Sequence, residues 1–303
     1  MTSRPTSPRQ PRAPRSPLLF VVAALACAAA LGWTSWAFVR TSTGQFADAA
    51  AWREAGVSSP DLPLPFLQVL DPLPAVSLVI AAGSLLFVVL VRRRYAAASV
   101  AVGVILASTL TTQPLKTGVS ARPDRGIDTL AFNSLPSGHT TLAASAVAAV
   151  FLVVPPRRRP FVAALGGAYS IAAGAATYLN LWHRPADVVA ALLVVGTWTL
   201  VGGLIVLRTG NGWNRWQGFG AGWMSSRVWL ALCWVLGLGG LAVSAVLYFS
   251  VQAIGPAPVP GTARLPLFFW SGLALIVGTG FSLSAAAGWL FASQAVLVRP
   301  GRR

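Results

Sequence analysis

Eight apolar runs, at about 17–39, 73–91, 95–115, 139–155, 160–182, 186–207, 228–250 and 267–292, set the main constraint on this chain. Each is about 20 residues long, enough for a helix to cross a hydrocarbon core of ~30 Å. The composition agrees: 55% of the 303 residues are hydrophobic and only 10% are charged. A soluble domain carries roughly 25% charged residues. The expected fold is therefore all-α, a polytopic transmembrane helical bundle of about eight spans. Residues 1–16, rich in Pro, Ser and Arg, read as a disordered basic tail. The first apolar run is longer than the 7–15 residues of a signal-peptide core and is expected to be an anchor helix.

The net charge of +16 does not point to nucleic acid as a partner. Its basic residues sit in small clusters between apolar runs, where the positive-inside rule places them. With the N-terminus in the cytoplasm, eight helices put 16 of the 23 basic residues inside, among them Arg92 to Arg94, Arg157 to Arg159, Arg208, Arg215 and Arg227. The outer side receives Arg40, Arg53, Lys116, Arg122, Arg125, Arg184 and Arg264. All seven acidic residues, Asp48, Glu54, Asp61, Asp71, Asp124, Asp128 and Asp187, also fall outside or at outer helix ends. Both termini are expected to be cytoplasmic. In the loop 208–227, Trp213, Trp216 and Trp223 suggest a headgroup-layer segment. Cys27 and Cys233 lie inside spans, lack metal-ligand spacing and read as small apolar filler.

The two histidines and the single lysine all fall at outer ends of predicted helices. Three segments carry them. The first runs from Lys116 to Arg122, Pro123 and Arg125. Lysine is a point charge and arginine a bidentate fork, and both suit a phosphate dianion. Taken alone, this segment is equally a charged helix boundary. The second, Pro136-Ser137-Gly138-His139, opens the fourth span. A helix N-terminus presents free N–H groups and a positive dipole end to an anion. There Gly138 permits close backbone approach, Ser137 adds a hydroxyl and His139 adds a proton donor. The third, His183-Arg184-Pro185-Ala186-Asp187, opens the sixth span, with Pro185 suited to a first helical turn. A histidine and an aspartate four residues apart meet on one side of a helix. The aspartate then fixes the imidazole tautomer and leaves the other ring nitrogen free to attack. The blander reading of the second and third segments is a pair of helix caps with interfacial side chains. No carboxylate cluster suggests a metal.

At these residues the chain resembles the type 2 phosphatidic acid phosphatase superfamily, the membrane lipid phosphate phosphatases related to vanadium haloperoxidases. That family's pattern has three blocks. They are Lys with a downstream Arg-Pro, then Pro-Ser-Gly-His, then Ser-Arg followed by His-x-x-x-Asp. The second block is intact at 136–139, and the third supplies His183 and Asp187. The resemblance covers about residues 73–207. It implies a six-helix phosphatase core, extended here to 17–207, with the loop 208–227, two additional helices within 228–292 and a basic tail at 293–303. It also implies a phosphohistidine at His183 oriented by Asp187, a leaving group protonated by His139, and phosphoryl oxygens held by Lys116, Arg122, Ser137 and Gly138. No metal and no other cofactor is expected. The expected partners are a lipid phosphate substrate and membrane lipids; the sequence names no protein partner.

Two departures stand out. Five residues rather than six separate Lys116 from Arg122, and the Ser-Arg pair of the third block is replaced by Ala176 and Thr177. Arg125 and Arg184 are the candidates to supply the missing cation. The sequence-level expectation is hydrolysis of a lipid or polyprenyl phosphate or diphosphate at the outer face of the cell membrane. A lipid phosphotransferase and a non-catalytic lipid-phosphate binder or transporter are the alternatives.

Overall fold

The computed structural model describes residues 17–58, 72–91, 93–119, 122–127, 133–209, 214–254 and 266–297. The expected tail at 1–16 and residues 298–303 of the expected tail at 293–303, together with Arg92, Asp61, Asp71, Asp128, Trp213 and Arg264, lie outside them; Ser293 ends α9 and Val296–Leu297 form a strand. Nine α-helices are described: α1 (Leu18–Ser35), α2 (Ser42–Ser58), α3 (Leu73–Leu90), α4 (Tyr95–Pro114), α5 (Gly138–Val153), α6 (Arg159–Leu179), α7 (Pro185–Thr209), α8 (Arg227–Ile254) and α9 (Leu267–Ser293). The fold is an all-α polytopic bundle. Each of the eight apolar runs forms one helix. Six are long and apolar enough to cross a membrane, while the apolar parts of α3 and α5, Ala75–Leu90 and Gly138–Val153, are shorter.

The most buried span is α7. It is surrounded by α1, α4, α5, α6 and α9. Small residues let neighbours approach closely, as expected where lipid removes the hydrophobic drive between helices. Between α8 and α9 a Cβ on Gly240 would come 2.8 Å from the Gly278 Cα. Large apolar side chains such as Leu25, Val79, Leu110 and Val235 face outward, which suits lipid rather than water.

The element the apolar pattern does not announce is α2. After a π-helical turn at Trp36–Arg40, Thr41 turns extended, and its Oγ1 accepts from Gly44 N–H at 3.0 Å, capping α2. A Cβ on Gly44 would sit 2.0 Å from the Ala37 carbonyl oxygen, so the reversal needs glycine. From there α2 crosses the end of the bundle. Trp52 Nε1 donates to Leu181 O at 2.9 Å, and Tyr178 Oη donates to Ala51 O at 2.9 Å. Glu54 Oε2 accepts from Phe269 N–H at 2.8 Å, which joins α2 to the start of α9.

At the opposite end, a 3-10 turn (Pro156–Arg158) precedes α6. Two short strands, β1 (Arg215–Trp216) and β2 (Val296–Leu297), pair in parallel beside it. Here the loop reading needs correction. Trp216 is buried and packs edge-on to Phe219 at 4.5 Å, while Trp223 is exposed. Cys27 and Cys233 are free thiols.

Candidate active site

The site gathers where α5, α6 and α7 meet beneath α2. Leu181, in a left-handed conformation, ends α6. The N–H groups of Trp182 and His183 then both donate to Thr177 O at 3.0 Å. This turn delivers His183 and Arg184 to the first turn of α7. His183 Nδ1 lies 3.2 Å from Asp187 Oδ2, with both side chains buried. The same carboxylate oxygen accepts from the Arg184 N–H at 3.0 Å and from Ser134 Oγ at 2.5 Å. An aspartate held by three donors keeps the imidazole in one orientation.

The start of α5 is joined to this turn. The Ser137 N–H donates to Asp187 O at 2.9 Å, and its extended backbone makes Ser137 the N-cap. The Ser137 hydroxyl, fully buried, accepts from the Thr140 N–H at 3.3 Å and from Thr140 Oγ1 at 3.0 Å. It therefore serves the cap within the protein. Among the described residues nothing lies within 4 Å of where a Cβ on Gly138 would stand, so this first turn is open on that side. His139 is exposed beside that space, with its ring centre 6.4 Å from that of His183 and 5.3 Å from that of Trp182.

Of the cations, Arg184 is the most enclosed, at 2% exposure, and its Nη1 donates to Ser134 Oγ at 3.1 Å. Arg122 is within electrostatic reach of Arg184, Asp48 and Asp187. Burial, and next the charge of Arg184, push its guanidinium below the usual arginine range. Its Nε and Nη2 are buried without hydrogen-bond partners among the described residues. By contrast, Arg125 is exposed and donates through Nη2 to Arg40 O at 3.1 Å, at the end of the α1 segment. Lys116 stands one turn beyond Thr112, whose hydroxyl is 3.2 Å from that of Thr141 on α5. That places Lys116 at this end of the bundle, but no hydrogen bond or ion pair joins it to the described site residues. Thr177 and Ala176 are buried in α6, and Thr177 Oγ1 donates to its own helix at Gly174 O, 2.8 Å away.

Asp48 of α2 is a site residue that sequence reasoning missed. It is 3% exposed, and its Oδ1 accepts from the Ala186 N–H at 3.1 Å, capping the start of α7. Burial, and next the charge of Asp187, raise its carboxyl to about 7, against the pull of Arg184, the Ala186 N–H and Arg122. Asp48 and Pro185 also form part of the wall of a cavity of about 360 Å3 between α2, α8 and α9, lined mostly by apolar side chains such as Phe38, Leu241 and Phe268, with the hydroxyl residues Thr41, Thr43, Ser244 and Ser271 among them. Among the described residues no group of three or more His, Cys, Asp or Glu is placed to hold a metal ion.

Fold and site together define a multi-pass helical membrane protein with a histidine–aspartate pair and a second histidine beside clustered arginines at one end. The family model of the PAP2 superfamily matches residues 96–210, from α4 through α7, and bears out the resemblance drawn from the motifs. The superfamily generally comprises phosphatases, and the match suggests that activity. The matched stretch contains Lys116, Arg122, Ser137, His139, His183 and Asp187; α1 to α3 and α8 to α9 lie outside it. Comparison with curated proteins and with solved structures gives no match.

Proposed function

We propose that this protein is an integral membrane phosphatase that hydrolyses a lipid phosphate, or a polyprenyl phosphate or diphosphate, through a phosphohistidine on His183. The observation that carries the reading is the Asp187–His183–His139 arrangement, with a 3.2 Å contact between His183 Nδ1 and Asp187 and a second imidazole whose ring centre lies 6.4 Å from that of His183. With the Nδ1–H donating to Asp187, His183 Nε2 holds the free electron pair. Nε2 attacks phosphorus, the bond to the leaving oxygen breaks, and His139 supplies the proton that oxygen takes up. Water then cleaves the N–P bond, releasing phosphate and restoring His183. Arg184 and Arg122, with the N-terminal turn of α5, stabilise the charge on the phosphoryl oxygens. Arg184 stands in for the cation absent at Thr177. No step as written uses a metal.

A lipid substrate is supported by the membrane-spanning bundle and by the apolar cavity beside Asp48 and Pro185, which suits an acyl or prenyl chain. The distribution of Lys and Arg supports an outward-facing site.

The test is phosphate release by the purified protein from a panel of lipid phosphates and polyprenyl diphosphates in EDTA, with His183→Ala alongside. The expected result is release by the wild type and a loss of at least ~1,000-fold in the variant. Equal rates would remove His183 from the chemistry. Binding without release by folded wild type would replace the enzyme with a non-catalytic lipid-phosphate binder.

A further inference from the structure

The end of the bundle remote from His183 buries a cation that no carboxylate among the described residues answers. Arg159 opens α6 and is 2% exposed. Its Nη1 donates to Asn214 Oδ1, and its guanidinium carbon lies 4.8 Å from the centre of the Phe291 ring. Its Nε and Nη2 are buried and have no hydrogen-bond partner among the described residues. Arg94 adds a second positive charge within electrostatic reach. The four described carboxylates, Asp48, Glu54, Asp124 and Asp187, all belong to the His183 end. A buried guanidinium without a counter-charge is costly, and one amide oxygen and one ring face compensate only part of that cost.

Other unpaired groups sit on the segments packed around it. Trp216 Nε1 and both the Nε2 and Oε1 of Gln294 are buried without partners among the described residues. The chain brings these segments together in three ways. Asn214 Nδ2 donates to Phe291 O at 3.3 Å, β1 pairs with β2 directly after Gln294, and the turn at 156–158 packs on β1. Exposed Arg93, Arg157, Arg158, Arg215 and Arg227 lie on the same end of the bundle. An oxyanion answers the charge and the unpaired donors at once, and a guanidinium fork matches phosphate geometry. Basic pockets between helices at a membrane face are built to take phosphate headgroups.

We infer that Arg159, flanked by Trp216 and Gln294, forms a binding site for a phosphate oxyanion at the end of the bundle opposite the active site. The 21 residues of α6 separate the two ends by about 30 Å, so the anion here is neither substrate nor product at His183. The ligand is a phosphate group carrying at least one negative charge. It comes either from the headgroup of an acidic phospholipid in the adjoining leaflet or from free phosphate.

The test uses the full-length protein, stripped of lipid in a neutral detergent. It is titrated separately with inorganic phosphate, short-chain phosphatidylglycerol and short-chain diacylglycerol. Melting temperature is followed, and native mass spectrometry counts the lipid retained. Phosphatidylglycerol is expected to raise the melting temperature and to remain as a retained lipid, while diacylglycerol does neither. Stabilisation by inorganic phosphate that is lost in Arg159→Gln assigns the site to free phosphate, whereas stabilisation that persists in that variant belongs to the His183 site. Trp216→Phe and Gln294→Met retain an aromatic ring and an unbranched chain, remove the indole N–H and the amide donor respectively, and are expected to weaken binding about tenfold. Arg159→Gln is expected to abolish it. Absence of binding by either phosphate source, or equal binding by wild type and the Trp216 and Gln294 variants, overturns the site.

Discussion

Replacing Ser134 by alanine tests how the site is held together. Ser134 is 6% exposed, so water does not readily take the place of its hydroxyl. That hydroxyl donates to Asp187 Oδ2 at 2.5 Å and accepts from Arg184 Nη1 at 3.1 Å. It therefore joins the residue that orients His183 to the cation assigned to the phosphoryl group. A hydrogen bond to a charged group contributes about 1.5–3 kcal/mol. If the loss at Asp187 reaches the transition state, kcat/KM falls about 10- to 100-fold, at roughly 1.4 kcal/mol per factor of ten. The assay is steady-state phosphate release, with melting temperature measured in parallel to show that the protein remains folded. The sharper readout is a double-mutant cycle with Asp187→Asn. Both changes act through one carboxylate oxygen, so Ser134→Ala is expected to cost less than about threefold in the Asp187→Asn background. The same fold-loss in both backgrounds would refute the reasoning, because Ser134 would then act by a route that does not pass through Asp187.

Two further outcomes follow from the packing and charge of the bundle. The Asp48 carboxyl is raised to about 7, so between about pH 4 and 7 the native state binds more protons than the unfolded chain, and stability conferred by that proton is lost as pH rises. Relative to Asp48→Asn, which does not titrate, wild type is expected to lose about 3 kcal/mol between pH 5 and pH 8. Unfolding measured in mild detergent checks this, and a difference that does not change with pH contradicts the burial argument. At the α8–α9 contact, a Cβ on Gly278 would meet Leu241 N at 2.5 Å, whereas none lies within 4 Å at Gly239. Gly278→Ala is expected to destabilise by about 1–3 kcal/mol, and Gly239→Ala to leave the melting temperature level or higher.

The eight apolar helices were legible because lipid demands long apolar runs, and each run became a helix within a few residues of its expected bounds. The second helix, α2, was not. Its sequence is too polar for a span, and its buried face is made of small residues, Ala47, Ala51 and Ala55, spaced by four. That spacing was the available signal. Asp48 was counted only as one of the outer acids, because nothing local distinguishes a carboxylate in water from one that caps a helix more than a hundred residues later. Ser134 was missed for the same reason: its partners lie about fifty residues downstream. Arg159 was read as a loop cation because it follows two exposed arginines; its burial depends on Asn214 and Phe291. The histidine–aspartate pair was legible because its geometry is local, four residues on one helical turn.

The hydrogen bond from Phe269 to Glu54 bears on how the protein is made. A ribosome releases the chain N-terminus first, so α2 and every residue of the matched stretch are threaded into the bilayer before α9 exists. Until α9 arrives, Glu54 lacks its partner and the roof that carries Asp48 is held through Gln45, Asp48, Ala51 and Trp52 without its tie to the last helix. The reaction centre thus acquires its final shape as nearly the last event of biogenesis. A chain halted after residue 210 would already carry both histidines and Asp187 and still be unfinished.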